Sequence, residues 1–312
     1  MVKVISLFSG AGGLDLGLIQ AGNDVIWAND IDKDAVATYR ENIGDNIVLD
    51  DIKNIDIDMI PDADVVVGGF PCQGFSQANR LRSVDDNRNQ LYKFFYNTIK
   101  IKQPKFFIAE NVKGILSLGK GEVIKQIVSD FEKAGYITSV NLVNMADYGV
   151  PQTRQRVIII GQRKDLGEKQ IFKFPEPTHS KTGEPKKWVS IKEAIDHFPN
   201  PDIENNVINH TYSAYKVAFR DYTGHRRTDP DKPSPTILAR GNGKGGVCAI
   251  PHYNGVRRLT LRESASVQTF PEEYHFIGAM GSCYRQIGNA VPVAFAKKLG
   301  EELIRLEKEE NI

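Results

Sequence analysis

The first 165 residues alternate short apolar runs with amphipathic segments of helix length, and that alternation admits few folds. Residues 2–8, 24–28, 46–49, 65–68, 106–109 and 157–161 read as strands, rich in the Val, Ile and Phe that a sheet covered on both faces requires. Between them, residues 14–21, 33–42, 91–102 and 121–134 space their apolar positions for helices, and Gly135 is suited to ending the last one. Parallel strands need such crossovers, so the expected fold class is α/β, a doubly wound, mostly parallel sheet.

From about residue 165 the pattern breaks. Prolines at 175, 177, 185, 199, 201, 230, 233, 235 and 251 punctuate a stretch with few periodic segments, and helical spacing returns only over 262–268 and 293–308. The expected division is a large domain over 1–164, a second, smaller irregular domain over 165–257, and a return to the first over 258–312. Charge follows the same division. Residues 1–150 carry 15 Lys/Arg against 20 Asp/Glu, whereas residues 151–262 carry 20 against 11, a net +9 inside a chain of net +1. A basic middle segment is either a solvated surface or a face for phosphates.

Composition closes off other classes. At 312 residues with 41% hydrophobic content the chain can bury a real core. No apolar run reaches the roughly 18 residues of a membrane span, and residues 1–6 enter a strand pattern without signal-peptide character. The three cysteines, Cys72, Cys248 and Cys283, show neither disulfide-framework nor zinc spacing, and the six histidines show no ligand spacing. A soluble cytoplasmic protein without a metal is expected.

The residues that carry chemistry lie at the ends of the strands. Phe8, Ser9, Gly10, Ala11, Gly12 and Gly13 follow the first strand and open a helix, where glycines admit a ligand to the backbone amides. Asp30 stands 20 residues beyond Gly10, where an acid meets ribose hydroxyls, so the pair favours a nucleoside-containing cofactor. Asp51 serves either an adenine amino group or the N-cap of the turn that begins at Ile52. Cys72 sits just past a buried strand in Gly69-Phe70-Pro71-Cys72, and Glu110 ends the next strand at the same edge. Arg154 and Arg156, entering another strand two residues apart, point to one side and either hold an anion, support a thiolate, or line a solvated edge.

These residues form an ordered set: Phe-Ser-Gly-Ala-Gly-Gly at 8–13, Pro-Cys-Gln at 71–73, Glu-Asn-Val at 110–112, Gln-x-Arg-x-Arg at 152–156, Arg-Leu-Thr-x-Arg-Glu at 258–263 and Gln-x-Gly-Asn-x-Val-Pro at 286–292. In that order and over nearly the whole chain, the sequence resembles the cytosine-5 DNA methyltransferases of bacterial modification systems. The resemblance implies the class I S-adenosylmethionine-dependent methyltransferase fold, with target recognition in the irregular domain. It implies S-adenosylmethionine as cofactor, S-adenosylhomocysteine as product and no metal. Cys72 becomes the nucleophile, Glu110 the partner of cytosine N3, and Arg154 and Arg156 their supports. Ile31, Ile52, Pro71, Leu91, Asn289 and Val291 join the glycine loop, Asp30 and Asp51 around the cofactor.

Double-stranded DNA is the implied substrate of a monomeric enzyme acting at the nucleoid, with a companion restriction endonuclease at the same site rather than a stable subunit. A paired cytosine hides its ring atoms in the stack, so it must be flipped out. Arg80, Arg82 and Arg88 would meet phosphates from a loop over that base. Thr236, Arg240, Asn242 and Lys244 lie in a glycine-rich stretch that either approaches base edges or forms a surface turn. Two departures stand out: Ser266 replaces the usual arginine between Glu263 and Gln268, and Ile31 replaces an aromatic residue. A tRNA cytosine methyltransferase is the alternative, but its Cys-Phe-Thr tripeptide is missing. A nicotinamide dehydrogenase would leave Pro71-Cys72-Gln73 and Glu110-Asn111-Val112 without a purpose.

Overall fold

The computed structural model of the chain describes residues 1–70, 90–167, 171–214, 217–219, 225–239 and 250–310. Seven strands make one sheet: β1 (Lys3–Leu7), β2 (Asp24–Asp30), β3 (Ile47–Leu49), β4 (Val65–Gly68), β5 (Phe106–Val112), β6 (Tyr136–Asn144) and, beyond the short β7 (Gln152–Thr153), β8 (Gln155–Arg163). Their order is β3-β2-β1-β4-β5-β8-β6, parallel throughout except for β8, which runs antiparallel to both neighbours.

Helices cover both faces. On one, α1 (Gly13–Gln20) and the C-terminal α8 (Val293–Glu310) press Leu14, Leu18, Phe295, Leu299 and Leu303 onto Val4, Val65, Val67, Ile108 and Ile158. On the other, α3 (Gln90–Lys102) and α4 (Glu122–Lys133) bring Phe95, Ile99, Ile127 and Phe131 against Ile5, Leu7, Val66, Phe107 and Ile159. Strand residues alternate between these two cores, which is why the strands read as unbroken apolar runs. α2 (Lys33–Asn42) is started by Asp32, whose side chain accepts from the amides of Asp34 and Ala35.

The described residues of the middle segment include α5 (Ile191–Ile195) and the two-residue β9 (Ser234–Pro235), which pairs with β7. It shares a third core with the return segment, where Ile191, Ile195, Ile237 and Ile250 meet residues of α6 (Leu261–Val267) and α7 (Met280–Asn289).

Three features differ from the sequence expectation. β6 was not expected as a strand: it lies at the sheet edge with Ile137, Val140 and Leu142 exposed, which erases the buried-strand signature. β8 is antiparallel because only the short stretch 145–154 links it to β6, too little chain for a crossover. The helix α7 was not expected either; Gly288 near its end has no room for a Cβ, which would lie 2.5 Å from the Leu238 backbone.

Strand order reverses between β1 and β4, and ligands of such sheets bind outside the carboxyl ends at that switch. Register sets what emerges there. Leu7 pairs with Asn29 and with Gly68, and Gly68 with Ala109, so the next residues along, Asp30, Phe8, Gly69 and Glu110, lie side by side at the carboxyl edge of this part of the sheet.

Candidate active site

The turn after β1 is tight and strained. Phe8, Gly10 and Gly12 have φ of 59, 56 and 78°, and a positive φ at phenylalanine is a costly conformation of the kind that collects at ligand sites. The Ser9 amide donates to the Asn29 carbonyl at 2.9 Å, and the Gly10 amide donates to Asp30 Oδ2 at 2.7 Å. The other Asp30 oxygen accepts from the Asp32 amide at 2.8 Å. Burial raises the Asp30 pKa, while these amides act in the opposite direction.

A Cβ built on Gly10 would meet nothing within 4 Å, so there is open space beside this turn. On Gly13 it would lie 2.6 Å from the Val291 carbonyl, so the return segment closes on the start of α1 and only glycine fits between them. Ala11 and Val291 are buried and Asn289 is exposed. Ile31 is 66% exposed beside Asp30, an apolar surface that the described residues leave uncovered, whereas Ile52 is buried in the core and Leu91 packs partly against it. Asp51 takes the capping role: its carboxylate accepts from the Lys53 amide at 3.1 Å.

At the end of β5, Glu110 is opposite Ile158 and Val112 opposite Arg156, which puts Glu110 and Arg156 diagonally on one face. Arg156 Nε donates to Glu110 Oε1 at 2.8 Å, and both side chains are only 14% exposed. Asn111 points to the opposite face and donates to the Phe70 carbonyl at 3.0 Å, fixing the chain immediately before Pro71 and Cys72. Gly69 passes close to the acid, for a Cβ there would lie 3.3 Å from Glu110 Oε2. The glycine loop, the approach to Cys72 and the Glu110 carboxyl thus meet at one sheet edge.

Residues 2–305 match the family model for C-5 cytosine-specific DNA methylases. The chain belongs to that family. The type II methyltransferase M.NgoFVII of Neisseria gonorrhoeae is 39% identical over 327 residues, 97% of this chain and 86% of that protein. M.FnuDI of Fusobacterium nucleatum, also a type II methyltransferase, is 37% identical over 338 residues, 98% and 96% of the two chains. Among solved structures, a DNA modification methyltransferase encoded within an E. coli prophage superposes with a TM-score of 0.79 at 26% identity, covering 99% of this chain and all of that one. The chain is a DNA cytosine-5 methyltransferase, and the tRNA reading gives way.

In this methylase β8 begins at Gln155, so Arg154 stands outside the strand alternation expected for the two arginines. It is not a solvated edge: Arg154 is fully buried and donates through Nη1 to the Ile237 carbonyl at 3.1 Å and through Nη2 to the Gly288 carbonyl at 2.9 Å. Among the described residues its Nε has no hydrogen-bond partner. Burial foremost, then the like charge of Arg156, pulls its pKa down to about 9, against the favourable charge of Glu110.

Gln152 and Gln268, whose spacing in the sequence points to no task, complete this junction. Gln152 accepts from the Ile237 amide at 3.0 Å and donates to Gln268 at 2.9 Å, and Gln268 donates in turn to the carbonyls of Ile287 and Ala290. Thr236 donates to the Thr153 carbonyl at 2.7 Å. The middle segment, the Gln-x-Arg-x-Arg stretch and the end of α7 are therefore tied together by buried amide and guanidinium groups. The hydroxyl of Ser266 has no hydrogen-bond partner among the described residues.

Pro71, Cys72, Arg80, Arg82, Arg88, Arg240, Asn242 and Lys244 lie outside the described residues. Among the described residues, no cluster of His, Cys, Asp or Glu could hold a metal ion, and no helix is long and apolar enough to cross a membrane.

Proposed function

We propose that the methylase transfers a methyl group from S-adenosylmethionine to carbon 5 of a cytosine flipped out of a short duplex sequence, through a covalent adduct with Cys72. The observation that carries this reading is the convergence of the Arg156-bound Glu110 carboxyl with the Asn111-clamped backbone that leads directly into Pro71-Cys72. Carbon 5 of cytosine is too weak a nucleophile by itself. Addition of the Cys72 thiolate at carbon 6 converts the ring to an enamine, and Glu110, hydrogen-bonded to or protonating ring N3, draws electron density away from carbon 6 as the C–S bond forms. Arg156 orients Glu110, and its charge favours an anion nearby. After methylation the carbon 5 proton leaves to a base, the C5–C6 double bond re-forms and the Cys72 thiolate is expelled.

The residues at the switch point fit the cofactor: open space at Gly10, backbone amides at a helix start, Asp30 for ribose hydroxyls and exposed Ile31 for the adenine face. Asn289 and Val291 would close the far side, with Ser9, Asp51, Ile52, Pro71 and Leu91 around it. When bound, the cofactor supplies an electrophilic methyl on a sulfonium. Asp30→Ala is expected to weaken cofactor binding 10- to 100-fold, about 1.5–3 kcal/mol, since it removes both a charge-assisted contact and the carboxylate that holds the Gly10 amide. Unchanged affinity by calorimetry would count against the site.

Target recognition is assigned to residues 165–257, with Thr236, Arg240, Asn242 and Lys244 nearest the bases and Arg80, Arg82 and Arg88 on phosphates. The excess positive charge of residues 151–262 and the type II relatives support duplex DNA, and a modification role beside a restriction endonuclease. The test is a duplex carrying 5-fluorocytosine in the recognition sequence. Fluorine cannot leave as a cation, so with cofactor present the adduct should persist through denaturing electrophoresis; failure to trap any adduct would overturn the mechanism.

A further inference from the structure

We propose that Asp15 is a positioning residue for the cofactor: its carboxylate holds the glycine loop from below through a relay of two serine hydroxyls. The inference rests on the cofactor reading above. Asp15 lies in the first turn of α1 and is fully buried. Its Oδ1 accepts from the Ser6 hydroxyl at 2.6 Å. The Ser9 hydroxyl, inside the loop, lies 2.9 Å from Ser6 Oγ and 3.1 Å from the Ser6 carbonyl. Ser6 thus donates to the acid, and the Ser9 hydroxyl has Ser6 Oγ and the Ser6 carbonyl as its acceptors, so the loop is linked to Asp15 through Ser6.

The charge is expensive where it sits. Among the described residues neither Asp15 Oδ2 nor the neighbouring Tyr39 hydroxyl of α2 makes a hydrogen bond of good geometry, although the two groups lie close enough for each to act on the other. Among the described residues, the titratable groups that bear most on Asp15 are Asp30 from β2, Tyr39 from α2 and Tyr274 from the return segment, and none of these three is a cation. Tyr274 grips the same loop, donating to the Ala11 carbonyl at 2.6 Å. Desolvation outweighs the hydroxyl contacts and pushes the Asp15 pKa up to about 6. A buried acid without a counter-ion, against a ligand loop, marks function over stability. Protonation would remove the negative charge that strengthens the Ser6 contact at Oδ1, weakening the relay and loosening the hold on the loop serine.

The sign of the stability effect separates this role from a purely structural one. A carboxyl whose folded pKa lies above its unfolded value favours folding at low pH, and that contribution is lost as pH rises from about 4 to about 6. Asp15→Asn, which cannot ionise, should therefore unfold no lower than wild type at pH 8 while binding cofactor about five- to tenfold more weakly. Cofactor affinity of the full chain is measured by calorimetry between pH 5 and 8.5 with S-adenosylmethionine itself. Wild type should lose about four- to fivefold in affinity between pH 8 and pH 5, most of it below pH 6. Asp15→Asn and Ser6→Ala should both lack that step, while the Asp30 titration stays common to all three chains. An equal step in wild type and Asp15→Asn, or equal affinity at pH 8, overturns the proposal. Should Asp15→Asn fail to fold, Ser6→Ala decides by the same criterion. Wild type that binds cofactor without the step overturns this inference alone, and wild type that binds none overturns the cofactor reading with it.

Discussion

Cys72→Ser abolishes methyl transfer while leaving cofactor affinity within about twofold of wild type. The serine keeps nearly all of the side-chain volume, so little bound surface is lost, but an alcohol is far less ionised than a thiol of pKa near 8.5 and the C6 adduct does not form. An adduct trapped on 5-fluorocytosine DNA should vanish in the same variant. Residual transfer near the wild-type rate would remove Cys72 from the mechanism, whatever the cofactor affinity.

Glu110→Gln should lower the turnover number by about 10²- to 10⁴-fold, the usual range for removing a proton-transfer or charge-stabilising group from its place. The substitution is chosen to isolate chemistry. A glutamine oxygen can still accept from Arg156 Nε, now 2.8 Å from the carboxylate, so the end of β5 keeps its geometry. Glu110→Ala would instead strand a largely buried guanidinium and lower stability as well. Single-turnover rates with cofactor and DNA saturating separate the two effects; a rate within threefold of wild type for Glu110→Gln would mean that ring N3 is served by another group.

Much of the fold was legible because β1, β4, β5 and β8 are covered on both faces and therefore carry uninterrupted apolar residues. β6 was not, since an edge strand that leaves Ile137, Val140 and Leu142 in solvent has no period to read. The direction of β8 was hidden too, because it depends on connection length and not on composition.

The site divides in the same way. Phe8–Gly13, Asp30 and Glu110 could be placed because consecutive parallel strands deliver them to one edge, which position along the chain already implies. The use made of Arg154 could not be read, for its carbonyl partners Ile237 and Gly288 lie 83 and 134 residues away. An acid in the first turn of a helix reads as a solvated favourable charge; only packing shows Asp15 to be buried beneath the loop. For Asp51 the sequence offered two tasks, and the capping contact to the Lys53 amide is the one formed by this chain alone.

Bisulfite sequencing of DNA from cells expressing the chain addresses methyl placement directly. Protected cytosines should fall at one position of one short recurring duplex sequence, and protection should disappear with Cys72→Ser. Full conversion of every cytosine in cells that hold folded wild-type protein, or protection scattered without a common sequence, would contradict sequence-specific methylation of cytosine carbon 5.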